Sequence, residues 1–180
     1  MSKSVLISIQ PKWCELIASG KKTIEVRKTK PKLETPFKVY IYCTQKGDNV
    51  FIVGDKAHKF NGKVIGEFIC DEILDCRDVN MDYTCLTVDE WLKYTKGHKG
   101  AVYGWHISNL VIYDKPRELR KFIRICPEWE KEEITDKCIR CEHLYRSPIE
   151  YFVECDYEGE VPITRPPQSW CYVESEVQGE

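Results

Sequence analysis

The residues best suited to chemistry lie together in residues 20–27, GKKTIEVR. From Thr23 onward polar and apolar residues alternate, as in a half-buried strand, so Thr23, Glu25 and Arg27 are predicted to share one face while the apolar residues face a core. Lys22 lies at the turn beside them, which brings two cations and a carboxylate close together. Such a cluster can bind polar ligands by charge-assisted hydrogen bonds or transfer protons. The alternative is an exposed, salt-bridged strand face without function.

Two elements precede this stretch and must position it. Residues 5–9 are a short apolar run and predict a strand. Pro11 suits the first turn of a helix, and Trp13, Leu16 and Ile17 then fall on one helical stripe. Gly20 follows where a helix end favours a left-handed residue. The order strand, short helix, turn and second strand therefore leads directly into the charged cluster.

The pattern G-x-K-x-x-E-x-R after a strand and a short helix resembles the signature of the ASCH domain, a member of the PUA-like superfamily. The four motif positions are filled by Gly20, Lys22, Glu25 and Arg27. Two further segments are similar to parts of ASCH-type proteins from bacterial and phage genomes: residues 103–119, YGWHISNLVIYDKPREL, and residues 165–174, RPPQSWCYVE. The resemblance covers residues 3 to about 122 and resumes near Ile163.

The expected fold class is mostly β (α+β): a small PUA-like β-barrel decorated by short helices. Residues 63–76 predict one long strand with a bend at Gly66, and such strands help small barrels to close. Thr87 and Glu90 form a capping box that predicts a second short helix. Residues 170–173 predict the final strand of the barrel.

Composition indicates one globular domain in residues 1–180, expected in the cytoplasm. The formal net charge is −2, no run of 18 apolar residues could span a membrane, and the N-terminus lacks the features of a signal peptide. Residues 1–38 are nevertheless basic, with nine Lys or Arg and three Glu. This region predicts a local anion-binding surface, or otherwise a scattered set of solvated lysines.

A cysteine-rich insertion is predicted at residues 123–163, where long apolar runs are few. It contains four of the ten cysteines: Cys126, Cys138, Cys141 and Cys155. The C-x-x-C spacing of the middle pair allows two thiolates to share one ion, so the four predict a structural Zn²⁺ site with no open position. His143 is an alternative fourth ligand, and buried or redox-active thiols are the competing interpretation. The other six cysteines are expected in the core.

Three further residues are candidates for ligand binding. Lys21 adds a cation beside the motif. Trp105 could stack on a base, as aromatic residues do in readers of single-stranded RNA, although a core aromatic cluster is the alternative. Ser169 begins the final predicted strand and is expected to line the binding site. No G-x-S-x-G motif surrounds it, so a nucleophilic role is not expected.

The resemblance implies an RNA- or nucleotide-binding module, with Lys22, Glu25 and Arg27 at its site. A second hypothesis is a hydrolase acting on a modified nucleoside, in which Lys22 and Glu25 are the catalytic candidates. Some ASCH proteins remove an acyl group from acetylated cytidine with a Lys, a Thr and a distant Glu. Here Lys22 matches the Lys, but Glu25 occupies the Thr position, and Glu67 and Glu72 are the candidate distant carboxylates. A third hypothesis is an adaptor whose zinc module binds a protein partner.

Overall fold

The computed structural model describes residues 3–45, 50–53, 56–59, 61–125, 144–146, 153–155 and 161–174. The helices in these ranges are α1 (Pro11–Ala18) and α2 (Val88–Thr95), with two short 3₁₀ helices, η1 (Met81–Thr84) and η2 (Leu119–Lys121). Both α-helices begin as predicted, α1 with Pro11 in its first turn and α2 with the capping box of Thr87 and Glu90. None of these helices is long and apolar enough to cross a membrane.

Strands account for most of the regular structure that is described. They are β1 (Lys3–Ile9), β2 (Ile24–Arg27), β3 (Phe37–Cys43), β4 (Val50–Val53), β5 (Lys56–Lys59), β6 (Lys63–Cys70), β7 (Ile73–Asp75), β8 (Tyr103–His106), β9 (Ser108–Arg117), β10 (Ile123–Arg124), β11 (Leu144–Arg146), β12 (Val153–Cys155), β13 (Val161–Pro162) and β14 (Trp170–Glu174). One sheet has the order β13-β10-β14-β1-β3-β6-β9, in which only β1 and β3 are parallel neighbours. A second sheet has the order β2-β8-β7, and the remaining strands form the pairs β4-β5 and β11-β12.

The middle strands of the large sheet are buried on both faces. Along β1, Val5 and Ile7 pack on one face, whereas Leu6 packs on the other. This double burial explains why β1 and β3 are nearly continuous apolar runs. The first face is covered by α1 and by the β2-β8-β7 sheet, and the second face is covered by η2 and Phe122.

The mostly β class with short helices is confirmed, but the predicted closed barrel is wrong for the described part of the chain. Its two main sheets stay separate, with β9 and β13 at the edges of the larger one. The smaller sheet stacks over the larger one instead of continuing it, because Trp105 of β8 packs into the core formed by β1 and β3. The predicted final strand is confirmed as β14, which pairs with β1.

Residues 63–76 form two strands instead of one long strand. β6 stays in the large sheet, whereas β7 pairs with β8 in the small one. The predicted irregularity at Gly66 is a bulge, since Val64 and Gly66 face consecutive residues of β3. A Cβ atom at Gly66 would lie 2.3 Å from the Val111 carbonyl oxygen of β9. The close approach of these backbones therefore requires glycine.

Candidate functional site

The turn after α1 sets the position of Lys22. Gly20 has a φ of 73°, which is the left-handed conformation predicted for the helix end. The amides of Lys21 and Lys22 both donate to the Leu16 carbonyl oxygen at 2.9 Å. These bonds fold the chain back against the end of α1, so that Lys22 comes directly before β2.

Strand β2 is buried on both faces, which corrects the prediction of one solvent-facing polar side. Glu25 is the register partner of Trp105 and therefore shares the face that packs towards the large sheet. Val26 lies on the opposite face, in a small cluster with Cys76 and Val102 that α2 helps to cover. Sequence alternation predicted the Val26 face as apolar but could not reveal that the Glu25 face is buried too, because its cover comes from other strands of the fold.

Lys22, Glu25 and Arg27 converge as predicted, but they do so inside the protein. Glu25 Oε2 lies 3.4 Å from Lys22 Nζ, and Glu25 Oε1 lies 3.0 Å from Arg27 Nη2. The three side chains are only 2%, 8% and 11% exposed, in chain order. The alternative of an exposed salt-bridged face is therefore wrong. The two cations compensate part of the cost of burying the carboxylate.

The Lys22 ammonium has an acceptor for each of its three hydrogens. It donates to the Ile24 carbonyl at 2.8 Å and to the Thr84 carbonyl at 2.6 Å, and the Glu25 carboxylate is the third partner. Lys22 consequently fixes the position of Glu25 and ties η1 to the start of β2.

Arg27 connects the carboxylate to the large sheet. Its Nη2 donates to the Ser8 carbonyl oxygen at 2.7 Å, and its Nη1 donates to Ser169 Oγ at 3.4 Å. The Ser8 hydroxyl in turn donates to the Pro167 carbonyl at 2.7 Å. Arg27 Nε is buried and has no hydrogen-bond partner within the described residues. The guanidinium is thus fixed at Nη2, whereas its Nε has no described acceptor.

These charges form one wall of a cavity of about 520 Å³, here called the Glu25 cavity. Its other walls come from α1, α2, the end of β3 and the segment before β14, and they include Trp13, Leu86, Tyr94, Thr44 and Pro167. A carboxylate has about four lone-pair directions, and the two cations at Glu25 use only two of them. Glu25 can therefore accept hydrogen bonds from a molecule in the cavity.

Trp13 and Tyr94 are aromatic wall residues that the sequence did not identify as part of the site. Trp13 was assigned to a helical core stripe, and its ring centre lies 5.3 Å from Lys22 Nζ. Tyr94 is near the end of α2, where its hydroxyl donates to the Val26 carbonyl at 3.4 Å and burial raises its pKa. The sequence could have suggested Trp13, because it lies in the helix directly before the motif. Nothing in the sequence linked Tyr94 to it.

The three other ligand candidates lie outside the cavity wall. Trp105 has 0% exposure and packs against Phe37 and Trp170, with ring centres 5.9 Å and 6.0 Å away. The core alternative for Trp105 is therefore correct, because a ring without exposed surface offers no face for stacking. Lys21 is exposed. Ser169 is half-buried and accepts the bond from Arg27, so it acts on the site through that residue.

The two candidate distant carboxylates also lie away from the cavity. Glu67 accepts hydrogen bonds from Tyr113 and Lys38, and these outweigh the opposing effect of burial and lower its pKa. Glu72 is exposed after β6. Among the described residues that line the Glu25 cavity, Glu25 is the sole carboxylate.

The predicted zinc site falls mainly outside the described residues. Cys126, Cys138, Cys141 and the alternative ligand His143 are not described, and Cys155 ends β12 as the register partner of Leu144. The described ranges contain no group of three or more His, Cys, Asp or Glu residues that could hold a metal. The zinc site stays a prediction.

Of the six other cysteines, four are buried as expected, whereas Cys85 and Cys171 are half-buried. Cys14 lies under the motif, and burial, reinforced by a hydrogen bond with Cys43, raises its pKa well above the ordinary value. A thiol in this environment stays protonated at neutral pH. Cys14 is therefore a packing residue and not a nucleophile.

The sequence profile of the ASCH domain matches residues 7–163, and this range contains the buried charged cluster. The chain belongs to the ASCH domain family. Among curated proteins, no significant match was found. The Glu25 cavity is therefore a feature of an ASCH domain.

Solved structures of another ASCH protein, ZmASCH from Zymomonas mobilis, share this fold. The protein without a stated mutation is 21% identical, with a TM-score of 0.50 over 64% of this chain and 73% of that one. One mutant form is 20% identical, with a TM-score of 0.51 over 66% and 77% of the two chains. Another is 16% identical, with a TM-score of 0.55 over 95% and 88%. At these identities the similarity establishes the fold alone.

Proposed function

We propose that this ASCH domain binds a nucleobase, in RNA or in a nucleotide, within the Glu25 cavity. The observation that carries the proposal is a buried carboxylate, held between two cations on the wall of a cavity of about 520 Å³. Small-ligand sites of roughly 300–1,000 Å³ typically combine apolar walls with a few fixed polar groups. The Glu25 cavity has this composition.

An amino-bearing base suits the acceptor that Glu25 presents. Exocyclic amino groups of cytosine, adenine and guanine donate hydrogen bonds, and carboxylates accept them. Uracil has no such group, and its N3–H donor lies between two carbonyl oxygens that the carboxylate would repel. Trp13 and Tyr94 offer aromatic surface in the same cavity, as in other proteins that bind single bases.

The cations have different roles in this proposal. Lys22 lines the cavity, but its two hydrogen bonds to carbonyls and its ion pair with Glu25 lie within the protein, so its main role is to hold Glu25. Arg27 lines the cavity, and its Nη1 makes one described hydrogen bond, to Ser169, so Arg27 is the residue that would contact an acceptor on the ligand, beside the group bound by Glu25. The two charges together orient the carboxylate before the ligand arrives, which lowers the cost of binding.

Binding is better supported than hydrolysis. A hydrolase using Lys22 in proton transfer would need that amine available, whereas two carbonyls and Glu25 engage it. The carboxylates proposed as its distant partners, Glu67 and Glu72, do not line the cavity. The hydroxyl expected at the position of Glu25 is absent from the sequence.

The structural zinc site formed by Cys126, Cys138, Cys141 and Cys155 remains part of the proposal. Its support is the cysteine spacing in a segment with few long apolar runs. Zinc would supply folding free energy to this segment and no chemistry to the Glu25 cavity. A protein partner that binds this segment stays a prediction.

Calorimetric titration with CMP, AMP, GMP and UMP tests the proposed function. We expect at least one amino-bearing nucleotide to bind about tenfold more tightly than UMP, since one charge-assisted hydrogen bond contributes about 1.5–3 kcal/mol. Binding of UMP as tight as that of the other three would contradict recognition by a carboxylate. Failure of all four, and of short RNAs containing them, would contradict nucleobase binding altogether.

A further inference from the structure

A second cavity of about 740 Å³ adjoins the Glu25 cavity. The two share Thr44 and Pro166 in their walls, so they are neighbouring spaces. The Thr44 hydroxyl oxygen is buried and has no hydrogen-bond partner within the described part of the chain. A polar atom thus stands without a described partner at the junction of the two cavities.

The second cavity has the donors that an anionic group requires. Arg120 is exposed in η2 and lines this cavity, and its charge acts on the neighbouring Glu118 without a described hydrogen bond between the two side chains. Glu118 also lines the wall, but Lys63 lies 2.7 Å from its carboxylate and compensates its charge. Gln45 adds an exposed amide. The balance of charges around the second cavity consequently favours binding of a negatively charged group.

We propose that this second cavity binds the neighbouring unit of the same ligand, so that the preferred ligand is an oligonucleotide spanning both cavities. In this arrangement a base occupies the Glu25 cavity and the linking phosphate passes Thr44, which donates a hydrogen bond to it. The next unit, with its own phosphate, lies in the second cavity beside Arg120. The inference rests on the proposed function, since it requires a base in the first cavity.

The phosphate is assigned to the second cavity because in the first it would compete with the Glu25 carboxylate for the two cations that already pair with it. The separation of roles follows from charge: the first cavity presents a carboxylate that selects donors, and the second presents a guanidinium that selects anions. Because the two units are covalently linked, binding of the second unit is intramolecular, which raises the affinity of the dinucleotide above that of either unit alone.

Affinity for a mononucleotide and for the matching dinucleotide, each measured by calorimetry, tests the inference. The full chain and two variants, Arg120→Ala and Lys121→Ala, are compared. Lys121 is an exposed cation next to Arg120 in η2 but lines neither cavity. Lys121→Ala therefore removes the same charge from the same helix and serves as the control for Arg120→Ala. We expect the dinucleotide to bind the unaltered chain about tenfold more tightly, and Arg120→Ala to remove most of this advantage. Lys121→Ala should preserve it, and mononucleotide affinity should change little in either variant.

Equal affinities for the two ligands in the unaltered chain would overturn the subsite, even where the mononucleotide binds well. The subsite is also overturned if Arg120→Ala and Lys121→Ala weaken dinucleotide binding equally, because the effect would then be general electrostatics. If neither ligand binds, the proposed function fails together with the subsite. Mononucleotide binding thus separates the failure of one proposal from the failure of the other.

Discussion

Lys22 and Thr84 are 62 residues apart, and the Lys22 ammonium donates to the Thr84 carbonyl oxygen at 2.6 Å. This bond joins the charged motif to the end of η1. The next residue, Cys85, takes a left-handed conformation with a φ of 54°, and Leu86 then enters the wall of the Glu25 cavity. One side chain of the motif therefore determines both the orientation of Glu25 and the position of an opposite wall.

Replacing Lys22 by methionine should destabilise the protein strongly. The change leaves the Glu25 carboxylate with one cation instead of two and removes the donor to two buried carbonyls. We expect the free energy of unfolding to fall by about 3 kcal/mol or more in urea titrations, as when one partner of a buried ion pair is removed. Lys21→Met is the matched control, since Lys21 is exposed, and it should change stability by less than about 0.5 kcal/mol.

Gly66→Ala should test the close approach of β6 and β9. The added methyl would meet the Val111 carbonyl oxygen at 2.3 Å, which forces two backbones apart. We expect a loss of about 1–3 kcal/mol in unfolding free energy, typical of overpacked cores. Gly100→Ala is the control, because its nearest neighbour is the His98 side chain at 3.2 Å. If both variants unfold at the same urea concentration as the unaltered chain, the described packing of β6 against β9 is wrong.

The ion pair between Lys12 and Glu90 joins α1 to α2 and predicts a dependence on pH. Hydrogen bonds from the Lys12 ammonium and the Thr87 amide lower the pKa of Glu90 from 4.5 to about 2. Ionised Glu90 therefore stabilises the folded state above pH 4.5, and this contribution disappears as the pH falls towards 2. In thermal unfolding, Glu90→Gln should lose less stability than the unaltered chain when the pH falls from about 6 to about 3.

Asp89→Asn is the control for this pH dependence, because Asp89 is an exposed neighbour in the first turn of α2. It should retain the acid sensitivity of the unaltered chain. Indistinguishable pH profiles for the unaltered chain and Glu90→Gln would show that the ion pair contributes nothing in solution.

Local sequence signals predicted the elements around the site, whereas its burial came from distant residues. Pro11, Gly20 and the Thr87–Glu90 capping box act within a few residues, and each is confirmed. The burial of Glu25 instead depends on the large sheet, towards which its face of β2 packs together with its register partner Trp105. Strand alternation contains no information about such a cover, so the predicted solvent-facing side was wrong.

The barrel prediction failed for a related reason. Residues 63–76 have the apolar pattern of one strand, but β7 pairs with β8 and leaves the sheet that contains β6. Which strands pair is decided by contacts across the fold, and a single sequence does not show them. Trp105 illustrates the same limit, because its pattern fitted a binding site and the core equally well.

The zinc prediction can be tested by elemental analysis of the purified full chain. We expect one Zn²⁺ per chain, which is lost in Cys138→Ser and in Cys141→Ser. Cys85→Ser is the control, because Cys85 is half-buried outside the cysteine-rich segment and should leave the zinc content unchanged. An unaltered chain without stoichiometric metal would contradict the site.

Selection of amino-bearing bases by Glu25 is the basis of the proposed function, and the variant Glu25→Gln probes it. The change keeps the size of the side chain but replaces one acceptor oxygen by a donor. Glu72→Gln, the same substitution at an exposed glutamate outside the cavity, is the control. Circular dichroism and unfolding should first establish that both variants fold.

The decisive measurement is the ratio of affinities for the tightest-binding amino-bearing nucleotide and for UMP in these three proteins. We expect a ratio of about ten or more in the unaltered chain and in Glu72→Gln, and a ratio near one in Glu25→Gln. A Glu25→Gln variant that folds and keeps the full preference would contradict selection by Glu25, because the buried carboxylate would then have no part in recognition.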